Sequence, residues 1–204
     1  MSPPVSRQKE RSDRSTNRLL EAAGELVVEG GFEAMTLAAV GERAGYSRGL
    51  ATARFGSKDL LLQALVERIV GHWSHRNVLP LTKGASGREA VGIVLGAIAG
   101  QAEHDPSKLR VLYALMFEAV GPETGLRSVF VELHADMRRD MARFVRRGLR
   151  DGSIRSGVSP DGEASVIVGA LRGIGYQWLL DPAGFEPAPA LRYLSRLVDE
   201  RLTP

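Results

Sequence analysis

Apolar residues in this chain recur at three- and four-residue intervals almost from end to end, and no segment shows the strict alternation of a half-buried strand. Leu19, Leu20, Ala23, Leu26 and Val27 form one face of a helix that Gly30 and Gly31 then stop. Three shorter helical pieces follow. Thr36 is placed to cap a helix carrying Leu37, Val40 and Ala44, ended by Gly45; Ser47 caps the next, which runs to Phe55. Ser57 caps a third, whose stripe of Leu61, Ala64, Leu65 and Ile69 continues towards Trp73.

Beyond Pro80 the helices lengthen, with expected spans of Ser86 to Glu103, Ser107 to Val120, Glu123 to Arg150, Asp161 to Leu180 and Ala188 to Leu202. His104-Asp105-Pro106, Gly121-Pro122, the glycine-rich stretch from Asp151 to Pro160 and the proline-rich stretch from Asp181 to Pro189 separate them. The expected fold is all-α. Its parts are a basic flexible arm (1–14), a three-helix helix-turn-helix head (15–62) and a larger helical body (63–204).

A chain of 204 residues is long enough to bury a substantial core. It contains no cysteine, which removes disulfide frameworks, thiolate zinc sites and cysteine nucleophiles together. The longest uncharged, mostly apolar run is Ala90 to Gly100, far short of the roughly 18 residues that span a bilayer, and residues 1–20 contain no apolar signal region. A cytoplasmic protein without a membrane partner is expected. Net charge is only +3, but it is unevenly spread. Arg7, Lys9, Arg11, Arg14 and Arg18 oppose only Glu10 and Asp13, and Arg43, Arg48, Arg54 and Lys58 oppose only Glu42. A solvated face is the ordinary reading of such runs.

What lies between the charges narrows the choice. Gly41 and Gly45 are spaced as two helices need when their backbones approach at a tight turn, and Gly45 can take the left-handed conformation that redirects the chain. Ser47, Arg48, Gly49, Thr52 and Arg54 then fall at or near the start of the second helix, where side chains reach base edges and phosphates when such a helix enters the major groove. Gly31-Phe32, Thr36, Ala44-Gly45-Tyr46-Ser47-Arg48-Gly49, Phe55-Gly56-Ser57-Lys58, Asp59 and Leu60-Leu61-Leu62 together resemble the DNA-binding head of the TetR family of bacterial transcriptional regulators. The resemblance is specific from about Arg18 to Leu65 and architectural beyond. It implies that Thr36, Ser47, Thr52 and Lys58 hold phosphates of a double-stranded operator and that Arg48 and its neighbours, Gly49 and Arg54 among them, lie against the bases. Thr52 stands where the family usually has tyrosine, so a hydroxyl remains but no ring to pack on the sugar-phosphate backbone.

Gly45-Tyr46-Ser47-Arg48-Gly49 also satisfies Gly-x-Ser-x-Gly, the nucleophile elbow of serine hydrolases. The elbow needs a buried strand before its serine, and Val40 to Ala44 is polar and helical in pattern, so no enzyme activity is expected. The rival to a DNA-binding regulator is a helical enzyme or small-molecule carrier with a structural head. Exposure of Arg48 and Lys58 on one face favours DNA; a buried Ser47 beside a histidine favours the enzyme. His72 and His75 share a helix face, but with no third ligand near them neither a metal site nor a cofactor is expected. The arm that precedes the first helix reads as disordered on its own pattern and could still track DNA.

In the body, Trp73, Tyr113, Phe117, His134, Met137, Tyr176 and Trp178 are the candidates to line a cavity for a small apolar or amphipathic effector. Leu191, Leu194, Val198 and Leu202 form a helical stripe, and Val168, Gly169 and Gly173 belong to another in which glycines let a partner backbone approach. Both stripes suit ordinary core as well as a two-fold interface. The resemblance implies a homodimeric repressor on a palindromic operator, with these last helices forming the dimer and effector binding changing the spacing of the heads.

Overall fold

The structure, a computed structural model, describes residues 7–71, 74, 78–121 and 125–204. Among them the chain forms nine α-helices: α1 (Arg7–Ala34), α2 (Leu37–Arg43), α3 (Arg48–Phe55), α4 (Lys58–Val70), α5 (Gly87–His104), α6 (Pro106–Glu118), α7 (Arg127–Asp151), α8 (Pro160–Leu180) and α9 (Pro187–Leu202). Their starts follow from short-range chemistry. The hydroxyls of Thr36, Ser57 and Ser159 accept from the backbone N–H groups of Ala39, Leu60 and Gly162, and Ser86 with Glu89 closes a full capping box. Prolines stand in the first turns of α6, α8 and α9, where the missing N–H costs no hydrogen bond.

The basic segment read as a flexible arm is helical from Arg7, so α1 runs unbroken into the Leu19–Val27 stripe and bends only at Gly31, whose φ is +74°. Glu10 precedes Arg14 by four residues, a favourable spacing on a helix. Ser12 and Ser15 further along the segment anchor it to α3 through Arg54, described below. Residues 1–6 lie outside the described residues.

Two apolar clusters carry the molecule. One joins α1 to α4 (Leu19, Ala23, Val40, Leu61, Leu65) to α6 and beyond (Val111, Leu115, Met116, Phe130, Trp178). The expected boundary at Leu62 therefore falls inside α4, whose far half packs on the body while its near half closes the head. The second cluster gathers α5, α7, α8 and α9 around Leu95, Met141, Phe144, Ile167 and Leu191. Helices α5 and α7 meet backbone to backbone: a Cβ at Gly87 would lie 2.0 Å from the Gly148 nitrogen.

That contact predicts opposite outcomes for two substitutions in one helix. Gly87→Ala should cost about 1–3 kcal/mol, because backbone rather than a flexible side chain must move. Gly96→Ala, where a Cβ meets nothing within 4 Å, should raise stability by up to about 1 kcal/mol through helix propensity. Thermal and denaturant unfolding followed by circular dichroism measures both.

Candidate nucleic-acid interface and cavity

The turn between α2 and α3 is built as its glycines require. A Cβ at Gly41 would stand 2.5 Å from the Ser47 carbonyl oxygen, so the crossing tolerates nothing larger, and Gly45 turns the chain at φ +77°. Helix α3 then leaves on Ser47, whose hydroxyl makes no capping bond. The serine is exposed, as are Arg48, Gly49, Thr52 and Ala53, while Ala51 on the opposite side is fully buried. Uncapped amides, a free hydroxyl and a face of small residues leave the start of α3 open to a phosphate and to close approach. Thr36, also exposed, has its oxygen occupied as the α2 cap.

The cations of the head divide into those that brace it and those that do not. Arg43, which the sequence reading did not single out as a site residue, bridges Glu25 at 3.3 Å and Glu29 at 2.7 Å, and its hydrogen bond holds the Glu29 carboxyl below the usual range. Arg54 is exposed but donates to the hydroxyls of Ser12 at 2.6 Å and Ser15 at 3.3 Å, tying α3 to α1. Lys58 is the clearest departure from expectation. It is half-buried, its Nζ donates to the Phe32 carbonyl at 2.6 Å and lies 3.7 Å from the centre of the Phe32 ring, so it satisfies a carbonyl at the end of α1. Among the described residues Arg48 pairs only with Glu42, and both side chains are more than half exposed; such a pair contributes about 0–1 kcal/mol and releases easily. Arg11, Arg14 and Arg18 lie exposed along α1, with Arg18 reaching over the Tyr46 ring at the turn.

In the body, a cavity of about 410 Å³ opens between α4, α5, α6, α7 and α8. Its walls are Ile69 and Val70 of α4, Val94 and Ile98 of α5, Leu109, Leu112 and Tyr113 of α6, Leu133, Met137 and Met141 of α7, and Arg172 of α8. Of the expected lining residues, Tyr113 and Met137 are there. His134 stands behind the wall: its Nδ1 lies 2.6 Å from the Phe130 carbonyl and its Nε2 accepts from Arg172 at 3.0 Å. Burial, with the Arg172 charge beside it, keeps the imidazole below its ordinary pKa and hence neutral at pH 7. Phe117 and Tyr176 pair edge to face at 5.2 Å away from the cavity, and Trp178 is buried in the cluster that joins head to body. Trp73, like His72 and His75, lies outside the described residues. Arg172 was not among the expected residues, and a single arginine in the mostly apolar stretch of α8 beyond Ser165 gives no periodic signal.

Of the residues expected at the interface, Leu191, Val198 and Leu202 are buried within the protomer, with Leu194 partly buried against the same core, because α9 turns that stripe onto α5; Val168 of α8 is buried as well. Gly169 and Gly173 do face outward and have open space over them. With Val166, Tyr176 and Leu180 they make an exposed stripe on α8, and Tyr193 and Leu197 make another on α9. Among the described residues no helix is long and apolar enough to cross a membrane.

Residues 19–65 match the family described as "Bacterial regulatory proteins, tetR family", and residues 87–203 match "BetI-type transcriptional repressor, C-terminal". Curated proteins give no match. Among solved structures, SmeT, the repressor of the Stenotrophomonas maltophilia multidrug efflux pump SmeDEF, is similar with a TM-score of 0.76 and 20% identity, covering 93% of this chain and 90% of that one. A transcriptional regulator from Saccharomonospora viridis in complex with choline gives 0.79 and 19%, covering 94% and 99%. FadR from Bacillus subtilis in complex with stearoyl-CoA gives 0.76 and 16%, covering 91% and 98%. Those likenesses carry the fold. The two family matches cover the head and more than half of the chain, and on them the chain belongs to the TetR family of bacterial regulatory proteins.

Proposed function

We propose that this DNA-binding transcriptional regulator acts in the cytoplasm as a homodimeric repressor, holding a palindromic operator with two α3 helices and releasing it when a small molecule enters the cavity between α4 and α8. The observation that carries the DNA half is the start of α3: an uncapped helix end, Ser47 with its hydroxyl free, and Arg48 held only by a surface pair. Arg48 would read a base edge, with Gly49 and Thr52 admitting the helix to the groove; Ser47, Thr36 and the α1 arginines would hold phosphates. Arg54 and Lys58 would act chiefly by fixing α3 and α4 against α1.

The exposed stripes of α8 and α9 support a two-fold interface. Gly169 and Gly173 let helices cross closely, and Val166, Tyr176, Tyr193 and Leu197 supply apolar surface. The cavity in turn borders both Ile69 and Val70 at the end of α4 and Leu109 and Leu112 of α6, the helices whose other faces pack on the head. A ligand that fits only one arrangement of α4 and α6 would bias the position of α3, which is how differential affinity becomes release.

Arg48→Ala should weaken operator binding by about 1–3 kcal/mol and relax preference at one base pair per half-site, measured against operator and scrambled DNA across a salt series. Equal weakening of both DNAs would mean that α3 docks another way. Lys58→Ala should instead lower the unfolding midpoint, by a stability loss of about 1 kcal/mol, since the Phe32 carbonyl loses its donor. For the interface, Gly173→Arg leaves the protomer fold intact, because open space surrounds that Cα, but should convert the dimer to a monomer in light scattering at micromolar concentration. A persistent dimer would place the axis elsewhere.

A further inference from the structure

The cavity contains a cation without a counter-ion among the described residues. Arg172 is largely withdrawn from solvent, enough that burial pulls its pKa below the ordinary guanidinium value, yet it stays charged at neutral pH. Its Nε donates to His134 Nε2 at 3.0 Å, and one terminal nitrogen points at Met137 Sδ at 3.2 Å, a weak acceptor. The Tyr113 ring lies 5.7 Å from its Cζ, and the Tyr113 hydroxyl donates to the Leu171 carbonyl while its oxygen accepts from Arg172. All these partners are neutral. His134 cannot supply charge either, because its Nδ1 proton goes to Phe130 and its remaining lone pair to Arg172.

The nearby acids are spoken for. Asp140 pairs with Arg143 at 2.9 Å and Asp136 with Arg139, both within α7, and no described acid pairs with Arg172. On the cavity wall Lys108, Arg139 and Arg143 each have an acid beside them, Asp105, Asp136 and Asp140, which leaves Arg172 as the wall cation without one among the described residues. A guanidinium mostly withdrawn from water, whose described partners are all neutral, is short of an anion, and the N–H groups left over by His134, Met137 and Tyr113 can receive a carboxylate. Ile69, Val70, Val94, Ile98, Leu109 and Leu112 supply an aliphatic part of the same wall.

We infer that the ligand of this cavity is an amphipathic acid, with an apolar body among the aliphatic walls and a carboxylate seated on Arg172. The inference deepens the effector reading above and rests on it. A quaternary ammonium or other cationic effector fits poorly, because it would bring a second positive charge beside Arg172 with no free acid to receive it. His134 acts here as a positioning residue: it holds Nε and so turns the outer edge of the guanidinium towards the cavity.

The test is a head-group series on one tail: decanoate, decanol and decyltrimethylammonium, each below its micelle concentration, titrated into the full-length protein by calorimetry, with operator release measured separately. Decanoate should bind at least about tenfold tighter than decanol, and the ammonium weakest. Arg172→Gln should bring decanoate down to the level of decanol, with Arg172→Lys intermediate. Equal affinities, a preference for the ammonium, or no binding by any of the three overturns the inference, and the series on the unaltered chain decides this even if Arg172→Gln fails to fold. Decanoate bound through Arg172 without any loss of operator affinity would uphold the inference and defeat the effector reading instead.

Discussion

The head and the body share one apolar core, and most of what the molecule can do depends on that continuity. Leu19, Leu61 and Leu65 from the first four helices pack in the same cluster as Val111, Leu115 and Met116 of α6 and Trp178 of α8. Two independent domains on a linker would move freely relative to each other. Here α4 begins in the head, ends at the cavity and is buried along its length by Leu61, Leu62, Leu65 and Val66, so the helix that brings Ile69 and Val70 to the cavity also closes the head.

Glycine does three separate jobs in this fold, and only surroundings tell them apart. Gly41 and Gly87 are places where two backbones touch, and Gly175 is where the Tyr113 ring lies against a helix. Gly31 carries positive φ at the bend near the end of α1, and Gly45 and Gly56 carry it just past the short helices α2 and α3. Gly169 and Gly173 have neither constraint within the chain and sit on an exposed apolar stripe, which is why they draw attention to a second copy.

The basic residues divide in a similar way. Arg43, Arg54 and Lys58 spend their hydrogen bonds inside the head, on two carboxylates, two hydroxyls and a backbone carbonyl. Bracing of this kind orients α2, α3 and α4 before any partner arrives, lowering the ordering cost of binding. Arg48 makes one exposed ion pair and Arg172 makes none among the described residues; the first stands on the surface and the second on the cavity wall, and they head the two proposed binding sites.

Much of this was legible from residue order alone: helices with their caps and breakers, the glycine spacing of the turn, and a head motif whose pattern implied its role. Each of these is a local property, decided within a few residues by hydrogen bonding, φ preference and a period of 3.6. What a helical face packs against is not local. Helix α9 carries two apolar stripes; the more regular one, Leu191 to Leu202, turned onto α5, while Tyr193 and Leu197 were left outside. Lys58 looked like a free cation because the carbonyl it serves lies 26 positions earlier in the chain. Arg172 gave no sign at all, since a buried charge is recognised only by its neighbours, and those come from α6 and α7. Sequence determined which helices form and where they end; tertiary packing alone decided which faces remain open and which charges lack partners, because both depend on distances between residues that the chain itself keeps far apart.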